Sequence, residues 1–127
     1  MKVLVTGGAG FIGSNLVNKL VELDYQVEVI DNNLRDLAKI NKKANYHKYD
    51  LSDVNNLNQV VRILNSVDTV FHLAARARVQ PSIDDPVGYE INNTLSTVNI
   101  LKSCVDSNVR RFVYSSSSSV YGDNDNM

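Results

Sequence analysis

Three glycines stand at positions 7, 10 and 13 of this 127-residue sequence, within Gly7-Gly8-Ala9-Gly10-Phe11-Ile12-Gly13. That spacing can cradle an anion on backbone N–H groups, because the run directly follows the apolar segment Lys2 to Thr6 and opens a helical pattern from Ile12 to Leu23. Each glycine has a use there. The first permits a tight turn, the second lets the backbone approach a pyrophosphate, and the third lets helix and strand pack closely. The same residues would also make a plain strand-to-helix turn that holds nothing. Asp31 closes the next strand pattern, Gln26 to Ile30, where a carboxylate can accept hydrogen bonds from the hydroxyls of an adenine ribose or simply sit solvated in a turn. Its position favours NAD over NADP, since Asp31 would repel a 2′-phosphate. Asn32 and Asn33 come next, and Arg35 is the one neighbour that argues the other way. Asp50 and Leu51 end a third strand pattern, where they can meet an adenine ring or serve a helix-capping loop.

Short β-branched runs alternate with longer helical patterns, which predicts βα units, a parallel sheet and right-handed crossovers. Five strands are expected: Lys2 to Thr6, Gln26 to Ile30, about Tyr46 to Tyr49, Thr69 to Leu73, and Arg111 to Ser115. Most are apolar on both faces, as buried parallel strands are. Between them run three helical stripes, each expected to cover a sheet face: Ile12, Leu16, Leu20 and Leu23; Val54, Leu57, Val61 and Leu64; and Ile91, Leu95, Val98, Leu101 and Val105. Ser52 and Asp53 suit the cap of the second helix, and Pro86 suits the first turn of the third. Residues 32 to 44, with only Leu34, Leu37 and Ile40 apolar, make a short helix at best. The fold class is α/β, a Rossmann-type doubly wound parallel sheet of about five strands, forming one domain over residues 1–127.

Thirteen basic and fourteen acidic residues leave a net charge of -1 and no basic run, so nucleic acid and membrane surface are not expected as partners. No stretch approaches the roughly 18 uninterrupted apolar residues of a membrane span. The one cysteine, Cys104, has no internal disulfide partner, and the N-terminus shows no secretory pattern, so a cytoplasmic protein is expected. Cys104 falls in the third helix as a small buried filler. His72, inside an apolar strand, reads as a satisfied core residue, and His47 has no partner at metal-ligand spacing, so no metal site is expected. Arg78 and Ser82 leave the fourth strand in a segment that either meets substrate or is a surface loop.

Four motifs in order, Thr6 to Leu16, Asp31-Asn32, His72-Leu73-Ala74-Ala75, and Ser115 to Gly122, resemble those of the extended short-chain dehydrogenase/reductases. Within that group the likeness is to the NAD-dependent epimerase/dehydratase family of sugar-nucleotide enzymes, the UDP-glucose and UDP-glucuronate 4-epimerases among them, and it runs the whole length of the chain. The resemblance implies a sheet order of 3-2-1-4-5 with NAD across the carboxyl ends of the strands. It implies Gly7, Gly10, Phe11, Ile12 and Gly13 at the pyrophosphate, Asp31 and Asn32 at the ribose, and Asp50 and Leu51 beside adenine. Leu73, Ala74 and Ala75 would lie beneath the nicotinamide ribose. Asn93 matches an asparagine beside the family's active site, although Ser96 stands where a glycine is usual, and Arg76 where a small or polar residue is commoner. Ser115 would sit nearer the cofactor, and Ser117 would be the catalytic serine that bonds the reacting sugar hydroxyl.

The family's general acid/base is a tyrosine with a lysine four positions on. None of Tyr25, Tyr46, Tyr49, Tyr89, Tyr114 and Tyr121 has that lysine, so the pair is absent from these 127 residues. The expectation is therefore the NAD-binding portion of a sugar-nucleotide epimerase or dehydratase, truncated relative to the family and without turnover by itself. A nucleotide-sugar substrate would bind only when the missing half is supplied, and self-association through helix 86–106 is expected. The competing reading is a non-catalytic NAD-binding sensor, or a module that pairs with another chain.

Overall fold

The computed structural model describes residues 1–34 and 40–122. Five strands, β1 (Lys2–Thr6), β2 (Gln26–Asp31), β3 (Asn45–Lys48), β4 (Thr69–His72) and β5 (Arg111–Tyr114), form one sheet in the order β3-β2-β1-β4-β5. Every pairing is parallel. The order reverses direction at β1, so the chain winds outward twice from the centre and all five carboxyl ends share one edge.

Alternation along the central strands sends their side chains into two separate cores. Val3, Val5, Val27 and Val29 point to the face covered by α1 (Phe11–Glu22), where they meet Val17 and Leu20. Leu4, Ile30 and Val70 point to the other face, beneath α2 (Leu57–Leu64) and α5 (Ser96–Asp106), where they meet Val60, Leu64, Ile100 and Cys104. Both faces of the sheet centre are thus buried, which is why these strands read as largely apolar runs.

The helical stripes differ in detail from those expected. In α1 the inward residues are Gly13, Val17 and Leu20, whereas Ile12 and Leu23 are exposed. In α2 they are Val60 and Leu64, and Val54 is exposed in a preceding 3₁₀ turn. The third stripe is reversed altogether: Ile91, Leu95, Val98, Leu101 and Val105 face outward, while Ser96, Asn99, Ile100, Ser103 and Cys104 face in. Small side chains let α5 lie close on its neighbours, and their polar atoms find partners without water. Ser103 donates to the Asn99 carbonyl at 2.9 Å, and the Asn99 amide donates to the Leu51 carbonyl at 2.8 Å.

Capping follows the local chemistry. Asp53 accepts from the Asn55 N–H ahead of α2, whereas Ser52 turns back to Asp50. Pro86 occupies the first turn of α4 (Pro86–Tyr89), capped by Asp85, and a π-helical turn at Glu90–Leu95 joins α4 to α5. The segment after β4 contains a short helix, α3 (Val79–Asp84). Of the segment 32 to 44, where a short helix at best is expected, residues 35–39, with Arg35 and Leu37, lie outside the described residues, and the described remainder forms turns and bends. Among the described residues no helix is long and apolar enough to cross a membrane.

The tightest constraint is backbone against backbone. A Cβ on Gly13 would overlap the Gly7 carbonyl oxygen and lie 2.7 Å from the Gly8 Cα, and neither can move without displacing β1. Gly13→Ala should therefore lower unfolding free energy by about 3 kcal/mol in urea denaturation. Gly10→Ala, whose Cβ would meet only the Gly7 oxygen at 3.2 Å, should cost under about 1 kcal/mol. Equal effects at the two positions would contradict this packing.

Candidate functional site

The loop between β1 and α1 is built by short backbone bonds. Gly7 N–H donates to the Ile30 carbonyl at 2.8 Å, and Gly10 N–H returns to the Gly7 carbonyl at 3.1 Å. Gly7 takes φ +68°, and a Cβ there would stand 2.8 Å from the Ala74 nitrogen, so glycine is required both by the turn and by the approach of the chain leaving β4. Gly10 is the N-cap of α1, and no side chain caps the first turn. The N–H groups there point to the carboxyl edge of the sheet, with the positive end of the helix dipole behind them.

Asp31, at the end of β2, fastens this loop. One carboxylate oxygen accepts from Ala9 N–H at 3.0 Å and the other from Asn33 N–H at 2.9 Å. Asp50, just after β3, accepts from both the hydroxyl (2.6 Å) and the N–H (2.9 Å) of Ser52, and from the Asn32 amide at 3.4 Å. The Ser52 hydroxyl bond is the main reason the Asp50 carboxyl is held below its ordinary range against the opposing cost of burial, with the charge of Arg76 assisting. Leu51 is buried in the core, so its edge alone reaches the cleft.

Two hollows meet along this edge and share Gly7, Gly10 and the segment Leu73 to Arg76. The first, about 410 Å³, is lined by Asp31, Asn32, Asp50 and Leu51. The second, about 730 Å³, is lined by Phe11, Ile12, Gly13, Asn93 and Ser115 to Ser117, with Arg78 and Ser82 at its side. The structure thus brings every residue that the sequence reading assigned to the cofactor or to catalysis to one continuous cleft. Phe11 and Ile12 lie open at its mouth. Ser117 is exposed, and its oxygen accepts from the Ser119 N–H at 3.1 Å, capping a short 3₁₀ turn at Ser118–Tyr121. Asn93 sits in the π-helical turn, where its side chain grips the backbone of Arg76: the amide oxygen accepts from Arg76 N–H at 2.8 Å and the amide nitrogen donates to Arg76 O at 3.0 Å. Arg76 in turn pairs with Asp85 at 3.3 Å and lies over the Tyr89 ring.

Sequence reading missed the support behind this edge. Thr6, His72 and Thr97, on β1, β4 and α5, meet under the cleft, and no spacing signals a contact across so many residues. His72 is 1% exposed, with both ring nitrogens bonded, as a satisfied core histidine should be. Burial holds its pKa down from 6.5 to about 4. Cys104 is buried too, and burial pushes its thiol up to about 11. Among the described residues no three His, Cys, Asp or Glu side chains converge as metal ligands would.

A doubly wound parallel sheet, with a glycine turn at the central strand and a cleft across the carboxyl ends, defines a Rossmann-type nucleotide-binding domain. The chain matches the NAD dependent epimerase/dehydratase family over residues 3–127, and it belongs to that family. Among its relatives, the UDP-glucose 4-epimerase of Halalkalibacterium halodurans is 37% identical over 123 residues, covering 97% of this chain and 36% of that protein. The structure of UDP-glucose 4-epimerase from Thermus thermophilus in complex with NAD aligns with a TM-score of 0.85 at 35% identity, over 92% of this chain and 38% of that one. The Thermotoga maritima UDP-glucose 4-epimerase with UDP-glucose aligns with a TM-score of 0.89, also at 35% identity, over 100% of this chain and 41% of that one. The chain therefore spans between 36% and 41% of the length of these relatives.

His72 makes acid stability measurable. Its folded pKa is depressed from 6.5 to about 4, so below pH 6.5 the unfolded chain takes up a proton that the folded chain refuses, and stability falls as pH drops toward 4. Urea denaturation should show a loss of roughly 2 kcal/mol between pH 7 and pH 5 from this group. Glu28 and Asp50, whose carboxyls are lowered, contribute only below their ordinary pKa values of 4.5 and 3.8. His72→Asn should flatten the loss between pH 7 and pH 5, and an unchanged slope would contradict the assignment.

Proposed function

We propose that these residues form the NAD-binding domain of a sugar-nucleotide epimerase or dehydratase. The observation that carries this reading is the cleft itself, divided at the Gly7–Gly13 loop, with Asp31 on one side and the Ser115–Ser117 cluster on the other. The residues fit a dinucleotide. Gly7 and Gly13 cannot carry a Cβ, and the uncapped first turn of α1 offers N–H groups to a pyrophosphate. Gly7, Gly10, Phe11, Ile12 and Gly13 hold that pyrophosphate, Asp31 and Asn32 the adenosine ribose, and Asp50 and Leu51 flank adenine. Leu73, Ala74, Ala75, Asn93 and Ser115 surround the nicotinamide half.

When bound, NAD supplies the chemistry of taking a hydride from the sugar ring and returning it. Ser117 holds the reacting sugar hydroxyl, but no tyrosine with a lysine four positions on stands beside it to accept the proton. These 127 residues alone should give no turnover of UDP-glucose, and measurable interconversion of the two 4-epimers would overturn that. A cytoplasmic protein with no nucleic-acid or membrane partner belongs to this reading, on the near-neutral charge and the lack of a basic run.

A second reading has its own support. The outward face of α5, with Val98, Leu101 and Val105 exposed, suits self-association or pairing with another chain, whether the domain acts as an enzyme part or as an NAD-holding module. Sedimentation should show association that Leu101→Glu weakens, and a strictly monomeric chain at high concentration would remove this reading.

Calorimetric titration with NAD, NADP and UDP-glucose tests the main one. NAD should bind, NADP more weakly, and UDP-glucose not at all. Asp31→Ala, which removes a ribose acceptor and the Ala9 bond, should weaken NAD about tenfold, near 1.4 kcal/mol. A folded sample that fails to bind NAD would refute the assignment.

A further inference from the structure

The segment Leu73 to Arg76 belongs to both hollows, so its position governs the whole cleft. It is pinned at two ends. At one, Leu73 N–H donates to the Thr6 carbonyl at 3.2 Å and Ala74 N–H to the Thr6 hydroxyl at 3.3 Å. At the other, the Asn93 side chain grips the Arg76 backbone through two bonds. His72 stands between the pins. Its Nδ1 lies 2.6 Å from the Thr6 hydroxyl and its Nε2 lies 3.0 Å from the Thr97 hydroxyl.

One set of donor directions satisfies every group along this path. With the Thr97 proton on the Asn93 carbonyl, 2.6 Å away, its oxygen accepts and Nε2 of His72 carries the ring proton. Nδ1 is then bare and accepts from Thr6, whose oxygen receives Ala74 N–H. The order from one pin to the other is Ala74 N–H to Thr6 to His72, and onward from His72 to Thr97 to the Asn93 carbonyl. A packing role alone would be met by leucine or valine, as at Val70 on the same strand. An imidazole sealed against Phe112 and Tyr114 costs desolvation unless both nitrogens are bonded.

We propose that His72 is a positioning residue for the cofactor: it registers β1 against the π-helical turn of Asn93, and so fixes the Leu73–Arg76 segment on which both halves of the cleft depend. This rests on the reading of the cleft as an NAD site. The substitutions that test it are Thr97→Val, which keeps the shape and removes the hydroxyl, Thr97→Ser, which restores the hydroxyl, and Asn93→Ala, which opens the far pin.

The wild-type chain at neutral pH should show His72 wholly as the Nε2–H tautomer in ¹⁵N spectra of the imidazole. Thr97→Val should mix the tautomers and weaken NAD about tenfold in calorimetry, while Thr97→Ser keeps the single tautomer and stays within about twofold of wild type. Asn93→Ala should weaken NAD similarly without changing the tautomer, and the double variant Asn93→Ala/Thr97→Val should be no worse than either alone. An Nδ1–H ring in the wild type, or wild-type NAD affinity in Thr97→Val, overturns the proposal. If Thr97→Val does not fold, undiminished affinity in Asn93→Ala does so instead. A wild-type chain that shows the Nε2–H ring yet binds no NAD overturns the reading of the cleft, and the positioning role with it.

Discussion

The structure depends on one place where two stretches of main chain touch with no side chain between them. The Gly7 carbonyl occupies the space a Cβ at residue 13 would need, and the Gly7 α-carbon lies against the chain leaving β4. This contact fixes how closely α1 approaches the sheet and how deep the turn sits at the carboxyl edge. Both quantities set where the free N–H groups of the first helical turn point, so the anion-facing geometry follows from packing. Were helix and strand an ångström farther apart, Ala9 would lose Asp31 and the turn its second anchor.

From that contact the edge is stiffened outward by polar bonds. Asp31 ties the glycine turn to β2, Asp50 and Ser52 close the end of β3, and Asn93 reaches across to the chain leaving β4. Each of these side chains spends bonds on the protein's own backbone or on a close neighbour. Carboxylate oxygens that already accept an amide still have free lone pairs, so holding the loop leaves Asp31 able to accept from the proposed ribose. Asn93 is different, since both ends of its amide are engaged with Arg76 and it shapes the cleft through that residue.

The strands and their parallel arrangement were legible in the sequence, because strands buried on both faces must be apolar at successive positions. Val3, Leu4 and Val5 are so without a break, and between Val27 and Ile30 only Glu28 interrupts the run. The glycine turn was legible for a related reason: only glycine satisfies backbone contact. Helix α5 was not. Its most apolar stripe faces outward, and its buried stripe is written largely in serine, asparagine and cysteine, of which hydropathy reads the first two as surface. Hydroxyls that bond the preceding turn lose their polarity to the outside, and no periodicity records that. The Thr6–His72–Thr97 contact was equally hidden, since its members come from three elements and only the sheet register, which sets Thr6 opposite His72, brings two of them together.

The burial of Cys104 has a practical side. A thiol with its pKa near 11 carries almost no thiolate at neutral pH, and it is the chain's one cysteine. These 127 residues are thus a natural blank for thiol chemistry. A cysteine introduced on the exposed serine run beside the cleft would be the single labelling point, and a fluorophore or spin probe there would report occupancy of the cleft without first having to engineer a background free of competing signals.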